Sequence, residues 1–309
     1  MPGIGLISRE GSAPAARAKP VMLAIVKRAT EGLFDSCAYY KSARSVEQRA
    51  EGARAAMQNP KSILITGASS GIGEALARAY AAPGVLLALT GRDEARLVRV
   101  AEACAKAGAR VEPALIDVAD APTMAEWIDR VHRQRPIDLA IANAGIAGGT
   151  SGGTESEAQT RRVAATNVDG VINTVLPLIP RMTQRRRGQI ALMSSLASFR
   201  GLPPAPTYCA SKAFVRVWGE ALRPELAPRG ITVSVICPGF VVSRLTATNR
   251  FRMPFLMPAD QAARIIVAGL ERGQARIAFP LRLYAGVQLL AALSPRLTDS
   301  FLRRLARKA

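Results

Sequence analysis

The chain has 309 residues, of which 49% are hydrophobic, and it carries a formal net charge of +19 with an isoelectric point near 11.0. One histidine and four widely spaced cysteines without a CxxC pair exclude a zinc cluster and argue against a disulfide scaffold, so no metal site is predicted. The positive charge is scattered, which favours a solvated surface over a nucleic-acid partner, and no apolar run approaches the roughly 20 residues of a membrane span, so a cytoplasmic protein is expected.

Three regions follow one another along the chain. Residues 1–56 are rich in Ala and Arg, and we interpret them as a poorly ordered or partly helical extension in which Pro20–Tyr40 is the better helix candidate. Residues 57–280 alternate short β-branched runs with helical patterns, which is typical of one domain built on a parallel sheet. Residues 281–309 form an apolar and basic tail with helical periodicity.

The stretch Ser62–Gly73, with the sequence SILITGASSGIG, predicts a strand, a tight glycine turn and the start of a helix. Glycines let another molecule approach the main chain, and the amides at a helix N-terminus attract a pyrophosphate. The turn is therefore a candidate dinucleotide site. It also matches G-x-S-x-G around Ser69, and a hydrolase with Ser69, Asp117 and His132 is the alternative.

Six more apolar runs after the glycine turn predict a doubly wound α/β fold of the Rossmann type, with seven parallel strands. The predicted strands are Ser62–Thr66, Val85–Thr90, Val111–Ile116, Ile137–Ala142, Gln189–Ser194, Ile231–Cys237 and Ala275–Phe279. Sites in such sheets form at the carboxyl ends of the strands. Beyond the fifth strand end, where Ser195 stands, Tyr208 and Lys212 lie four residues apart, on one face of a predicted helix.

These residues make the chain resemble the classical short-chain dehydrogenase/reductase family from about Lys61 to Pro280. The motifs occur in the family order: TGASSGIG at 66–73, NAG at 143–145, TNVDG at 166–170, Ser195, YCASK at 208–212 and PGFVVS at 238–243. Two positions depart from the family pattern. Ala142 replaces the first Asn of NNAG, and Ser243 replaces a Thr but keeps the hydroxyl group.

The resemblance implies an enzyme that interconverts a carbonyl and an alcohol with a nicotinamide cofactor. It implies that Tyr208 is the general acid or base, that Lys212 lowers its pKa, that Ser195 holds the substrate oxygen and that Asn167 anchors a water. The residues expected to bind the cofactor are Gly67, Ser69, Ser70, Gly71, Ile72, Gly73, Arg92, Asp117, Val118, Asn143, Ala144, Gly145, Tyr208, Lys212, Pro238, Gly239, Val241 and Ser243. A regulatory protein that binds the cofactor without turnover is the alternative from another class.

Cofactor and substrate preferences rest on two further stretches. Gly91 stands where NAD-dependent relatives carry an acid, and Arg92 suits a 2′-phosphate, so NADP(H) is predicted, with NAD(H) as the second choice.

The segment after Pro238-Gly239 contains Phe251, Met253, Phe255, Leu256 and Met257, which predicts a hydrophobic, lipid-like carbonyl or alcohol substrate, and Arg244, Arg250 or Arg252 could take an anionic group.

The tail after Pro280 combines apolar residues with six basic and one acidic residue. Leu297, Phe301 and Leu305 form an i, i+4 stripe beside basic side chains, as a helix lying on an anionic membrane surface requires. Peripheral membrane association is therefore one interpretation. The other is that the tail packs on the domain or forms a subunit contact, and a homo-oligomer is expected.

Overall fold

The computed structural model describes residues 59–150, 153–247 and 253–302, and it contains every predicted strand with ends that shift by at most two residues. The strands are β1 (Ser62–Thr66), β2 (Leu86–Gly91), β3 (Arg110–Leu115), β4 (Leu139–Ala142), β5 (Gly188–Met193), β6 (Ile231–Pro238) and β7 (Arg276–Phe279). They form one sheet in the order β3-β2-β1-β4-β5-β6-β7, and each neighbouring pair is parallel. The predicted doubly wound fold is confirmed.

Helices connect the strands and cover both faces of the sheet. Those of the domain are α1 (Gly71–Tyr80), α2 (Glu94–Lys106), α3 (Ala121–Gln134), α4 (Glu157–Ala164), α5 (Gly170–Val175), α6 (Leu178–Arg185), α7 (Pro206–Leu226), α8 (Arg244–Ala247) and α9 (Ala259–Glu271). A π-helical segment, Ala165–Asp169, joins α4 to α5. Short 3-10 turns at Leu196–Ser198 and Ala227–Arg229 flank α7.

The central strand β1 shows why the runs are apolar without alternation. Ile63 and Ile65 belong to the core on the face covered by α1 and α9, whereas Leu64 belongs to the core on the opposite face, with Met124 and Val215. The side chains of Ile63, Leu64 and Ile65 are all fully buried. A strand covered on both faces buries side chains of both orientations, which is the usual state of a parallel sheet.

Helix α7 lies close against β5 and β6 because Gly219 has no side chain. A Cβ at Gly219 would stand 2.6 Å from a methyl group of Leu192 and 2.6 Å from one of Val235. Such a distance is far inside van der Waals contact, so a larger residue would push the helix away from the sheet. The small residue therefore fixes the position of α7 and of the side chains that it carries.

The tail forms two helices after the domain, α10 (Leu281–Ala292) and α11 (Pro295–Leu302). Leu281, Leu289 and Leu297 are 74%, 68% and 72% exposed, while Leu302 is buried. None of the helices in the described ranges is both long and apolar enough to cross a membrane.

Some predictions concern residues that the structure does not describe. They are the extension 1–56 with its helix Pro20–Tyr40, the side chain of Phe301, and Leu305. Arg250, Phe251 and Arg252 also lie outside the described residues. The division of the chain at residues 56 and 280 stays a prediction.

Candidate active site

The carboxyl ends of the strands surround a cavity of about 500 Å³. Most residues singled out from the sequence line it: Gly67, Ser69, Ser70, Gly71, Ile72, Arg92, Asp117, Val118, Asn143, Ala144, Gly145, Ser195, Tyr208, Lys212, Pro238, Gly239, Val241 and Ser243. Two predicted residues, Gly73 and Asn167, do not line the cavity. They contact residues that do, since Gly73 lies against Gly67 and Asn167 lies against Gly145. Their roles at the site follow from their neighbours.

The glycine turn after β1 forms one end of the cavity. Gly67 has φ +65°, a left-handed conformation that favours glycine, and a Cβ at Gly73 would stand 2.2 Å from the Gly67 carbonyl oxygen. The Ser70 side chain makes no capping hydrogen bond at the N-terminus of α1. The turn is therefore compact. The Ser70 side chain leaves the first amides of α1 uncapped, and an anion site at a helix N-terminus needs such uncapped amides.

Thr66 and Asn143 join the ends of β1 and β4 beneath this turn. The Asn143 side-chain amide donates to the carbonyl oxygens of Thr66 and Gly67, at 2.9 and 3.2 Å. The Thr66 hydroxyl in turn accepts from the backbone amides of Asn143 and Ala144, both at 3.0 Å. These bonds hold the glycine turn against the NAG motif, so the Asn143 amide supports the turn. Sequence analysis did not single out Thr66.

Tyr208 and Ser195 meet at the end of β5. Tyr208 stands in the first turn of α7 and is half-buried, and Ser195 precedes the 3-10 turn and is 9% exposed. Burial raises the pKa of the Tyr208 phenol, and a hydrogen bond with the Ser195 hydroxyl opposes the rise. A phenol and a hydroxyl therefore share one point of the cavity, where both could contact the same substrate oxygen.

Lys212 lies one helical turn after Tyr208 and is only 3% exposed. Its Nζ donates to the carbonyl oxygen of Met193 at 2.8 Å and stands 5.9 Å from the centre of the Tyr208 ring. Burial lowers the pKa of Lys212 to about 8. The ammonium is thus largely desolvated, and it stands beside the phenol.

Asn167 lies in the π-helical segment and is fully buried. Its amide group donates to the Ile146 carbonyl and to the Ser211 hydroxyl, both at 3.0 Å, and accepts from the Ile146 amide at 2.8 Å. A Cβ at Gly145 would stand 3.2 Å from both the Asn167 Oδ1 and the Lys212 Nζ. The side chain therefore fixes the loop after β4 beside Lys212, and water anchoring by Asn167 stays a prediction.

The far end of the cavity carries two arginines, each of which pairs with an aspartate that also lines the cavity. Arg92 is largely exposed, and within the described part of the chain its one ion pair, at 3.7 Å, is with Asp117. Arg96, which sequence analysis did not single out, also lines the cavity and pairs with Asp93 at 2.7 Å. The sequence signal for Arg96 is its position one turn after Arg92, at the start of a predicted helix. A Cβ at Gly91 would stand 3.0 Å from the Ser69 side chain, so an acidic residue there would displace Ser69.

The hydrolase alternative fails on the position of His132. Its Nδ1 accepts from the backbone amide of Ile137, just before β4 begins, whereas Ser69 follows the end of β1. In a parallel sheet all strands begin at one edge and end at the opposite edge. His132 and Ser69 therefore lie at opposite edges and cannot act together. His132 is also half-buried, because its ring nitrogen accepts from the chain between α3 and β4.

Comparisons with known proteins support the family resemblance found in the sequence. Residues 61–253 match the family model of the short chain dehydrogenases. The chain is 39% identical over 246 residues to an uncharacterized oxidoreductase of Myxococcus xanthus, a match that covers 79% of this chain and 97% of that protein.

Solved structures agree in fold. A short-chain dehydrogenase from Sphingobium yanoikuyae in complex with NADPH is 27% identical, with a TM-score of 0.68 over 80% of this chain and 97% of the other. A short chain dehydrogenase/reductase from Burkholderia phymatum in complex with NAD is 24% identical, with a TM-score of 0.69 over 80% and 96% of the two chains, and this likeness concerns the fold alone. The chain belongs to the classical short-chain dehydrogenase/reductase family and is an oxidoreductase.

Proposed function

We propose that the protein interconverts a carbonyl and an alcohol on a hydrophobic, lipid-like substrate, with NADP(H) as the preferred cofactor. The observation that carries the proposal is the meeting of Ser195, Tyr208 and Lys212 in one cavity with the glycine turn. The nicotinamide supplies or accepts the hydride when bound. A binding protein without turnover is the weaker candidate, because a phenol and a hydroxyl that meet at one point of the cavity are suited to proton transfer.

The residues around the cavity fit a dinucleotide. The glycine turn leaves no side chain at Gly67, where a Cβ would stand 2.8 Å from the Ala144 Cα, and the N-terminus of α1 would hold the pyrophosphate. Val118, Gly145 and Val241 would line the path toward Lys212. Ser243, whose hydroxyl also accepts from the Thr246 amide at 3.3 Å, would hold the amide of the nicotinamide.

Tyr208 would donate its proton to the substrate oxygen in reduction and remove it in oxidation. Burial works against the phenolate. A nearby ammonium favours a phenolate in general, so Lys212 would oppose this effect, and the balance would set the pH at which the proton moves. Ser195 would hold the substrate oxygen beside the phenol. Asn167 would keep the loop after β4 in place and anchor a water of the proton path.

The preference for NADP(H) rests on charge at the end of β2. Arg92 is exposed, and its ion pair with Asp117 is long, so its guanidinium is available to a 2′-phosphate. Arg96 lines the same end of the cavity but is paired with Asp93. No carboxylate stands at Gly91 to accept hydrogen bonds from a ribose 2′-hydroxyl. NAD(H) remains the second choice.

The substrate preference rests on the segment that follows β6. Phe255 and Leu256 are 51% and 44% exposed and offer apolar surface, and Arg244 lines the cavity and could take an anionic group. Met257 does not contribute to this surface, since it is buried and pairs with Val241 in a short β-bridge. The sequence-based interpretation of Met257 as substrate surface was therefore wrong.

The exposed apolar residues also support two contacts with other molecules. Phe214 and Val217 on α7 are 38% and 54% exposed, and Phe214 stacks on Trp218, which favours a homo-oligomer through this helix. The exposed leucines of α10 and α11 lie near Arg282 and Arg296, which favours peripheral contact with an anionic membrane. A cytoplasmic location stays a prediction from the sequence.

Replacing Tyr208 by Phe tests the proposed chemistry. We expect at least a 100-fold loss of NADPH-dependent reduction across a panel of hydrophobic ketones, because the proton donor is removed while the ring remains. NADPH oxidation followed by absorbance measures the rate, and small sugars in the same panel test the substrate class. Tyr80→Phe, which removes a phenol outside the cavity, is the matched control and should keep full activity. Full activity of Tyr208→Phe would refute the catalytic assignment, and a preference for sugars would refute the substrate class.

Replacing Arg92 by Ala tests the cofactor preference. The loss of a charge-assisted contact should raise the dissociation constant of NADPH by about 10- to 100-fold and leave that of NADH nearly unchanged. Fluorescence titration of both cofactors measures the two constants. Arg130→Ala removes an exposed charge that does not line the cavity and should change neither constant. Equal changes for NADPH and NADH in Arg92→Ala would contradict the prediction.

Binding to lipid vesicles tests the membrane contact. The protein should co-sediment at low salt with vesicles that contain phosphatidylglycerol but not with pure phosphatidylcholine, since each cation near an anionic surface contributes about 1 kcal/mol. Leu289→Glu with Leu297→Glu should abolish co-sedimentation and keep NADPH binding. Val98→Glu, at an exposed apolar position on α2, is the control and should not affect it. The contact is ruled out by a lack of co-sedimentation in the wild type.

A further inference from the structure

Phe199 ends the 3-10 turn that follows Ser195, and its ring is surrounded by side chains from three other elements. The guanidinium of Arg216 on α7 lies 4.5 Å from the ring centre, and that of Arg276 on β7 lies 5.3 Å from it. The ring of Tyr284 on the tail helix α10 is 5.5 Å away, at an interplanar angle of 60°. The turn after Ser195 is therefore attached to α7, to the last strand and to the tail.

Arg216 connects this ring to the helix that carries the proposed proton donor. It lies one turn after Lys212 and about two turns after Tyr208 on α7. Because Phe199 packs on Arg216, the contact between them sets the distance between the turn after Ser195 and α7. The position of Ser195 relative to the Tyr208 phenol depends on that distance.

The charges around the Phe199 ring are compensated within the group. The Glu220 carboxylate on α7 accepts from Arg216 at 3.1 Å and also from Arg276, and the Tyr284 hydroxyl accepts from Arg276 at 2.9 Å. The Nε atoms of both arginines are buried and have no hydrogen-bond partner among the described residues. The negative face of an aromatic ring attracts a guanidinium, so the Phe199 ring offsets part of this loss.

The tail helix α10 packs behind a second segment of the cavity wall as well. A Cβ at Gly239 would stand 2.9 Å from a methyl group of Leu283, so the turn after β6 lies directly against this helix. The Ser195 hydroxyl donates to the carbonyl oxygen of Pro238, the residue before Gly239, at 3.5 Å. No residue of α10 lines the cavity itself. The helix therefore supports the wall on both sides of Ser195 from outside the cavity.

We propose that Phe199 and Tyr284 are positioning residues, which hold the Ser195 hydroxyl at the point where it meets the Tyr208 phenol. The tail helix is then needed for the reaction although it contributes no group that touches the substrate. This inference rests on the proposed function, in which both hydroxyls contact one substrate oxygen. A displacement of about 1 Å near the reacting atoms can lower a rate about 100-fold, so the loss of the ring contact should be measurable in kcat.

Replacing Tyr284 by Ala tests the positioning role. The substitution removes the ring that packs on Phe199, and it should lower kcat for the reduction of 2-decanone with NADPH at least tenfold. The dissociation constant of NADPH, measured by fluorescence titration, should stay within twofold of the wild-type value, because the glycine turn is not displaced. Tyr284→Phe keeps the ring and should retain at least half of the wild-type kcat. Tyr284→Leu keeps much of the apolar volume and replaces Tyr284→Ala if that variant does not fold.

Tyr80→Ala is the matched control for the loss of a tyrosine side chain. Tyr80 packs against the core at the end of α1 and does not line the cavity. The substitution should lower the midpoint of thermal unfolding and leave kcat unchanged. The proposal is overturned if Tyr284→Ala retains the wild-type kcat, or if Tyr284→Phe loses as much of it as Tyr284→Ala does.

A double-mutant cycle separates positioning from a general loss of structure. If Tyr284 acts through Ser195, Tyr284→Ala should lower the rate less than twofold in a Ser195→Ala background, because the hydroxyl that it positions is already absent. Single-turnover measurements at high enzyme concentration give access to the low rates of these variants. A tenfold loss in both backgrounds would contradict the proposal.

Hydrogen exchange tests the same contact without turnover. Backbone amides of the turn after Ser195 donate to carbonyl oxygens within the turn, so its opening can be followed by their exchange rate. A peptide that covers this turn should exchange at least tenfold faster in Tyr284→Ala than in the wild type or in Tyr80→Ala, and equal rates would overturn the proposal. Faster exchange in a protein that reduces no ketone would support the contact and refute the proposed function, so the two failures are distinguishable.

Discussion

A buried ammonium group is the feature on which the rest of the site depends. Lys212 is almost fully enclosed, and its one described hydrogen bond goes to the Met193 carbonyl at the end of β5. Burying a charge with so little compensation is costly, and the lowered pKa of Lys212, about 8, expresses that cost. The fold holds the group there through α7, which approaches the sheet closely at Gly219. The stability lost at this point places a positive charge beside the phenol of Tyr208.

The parallel sheet explains why distant parts of the sequence meet at this group. Each strand ends at the same edge, so the turn after β1, the NAG motif after β4 and Ser195 after β5 are adjacent. The bonds between Thr66 and Asn143 then fix the distance between the first two. The glycine turn and the point where Ser195 meets Tyr208 are in this way parts of one hydrogen-bonded framework.

The sequence was sufficient for the elements whose signals are local. Seven apolar runs predicted the strands, and the spacing of Tyr208 and Lys212 predicted their common helix face. Features that depend on tertiary contact were not predictable. The bracing role of Thr66, the half-buried state of His132 and the burial of Met257 depend on which segments meet in space.

The stability of Lys212→Met as a function of pH tests the central claim most directly. The pKa of Lys212 is lower in the folded protein than its value of about 10.4 in an unfolded chain, so the folded state is penalised wherever the unfolded chain carries the proton. The penalty is complete below pH 8 and disappears as the pH rises toward 10.4. One pKa unit corresponds to about 1.4 kcal/mol, and the lost bond to Met193 offsets part of the gain. The free energy of unfolding of Lys212→Met should therefore exceed that of the wild type by about 2 kcal/mol at pH 7 and by less at pH 10. The variant should show no measurable turnover. A variant that is less stable at pH 7 and still active would contradict the account.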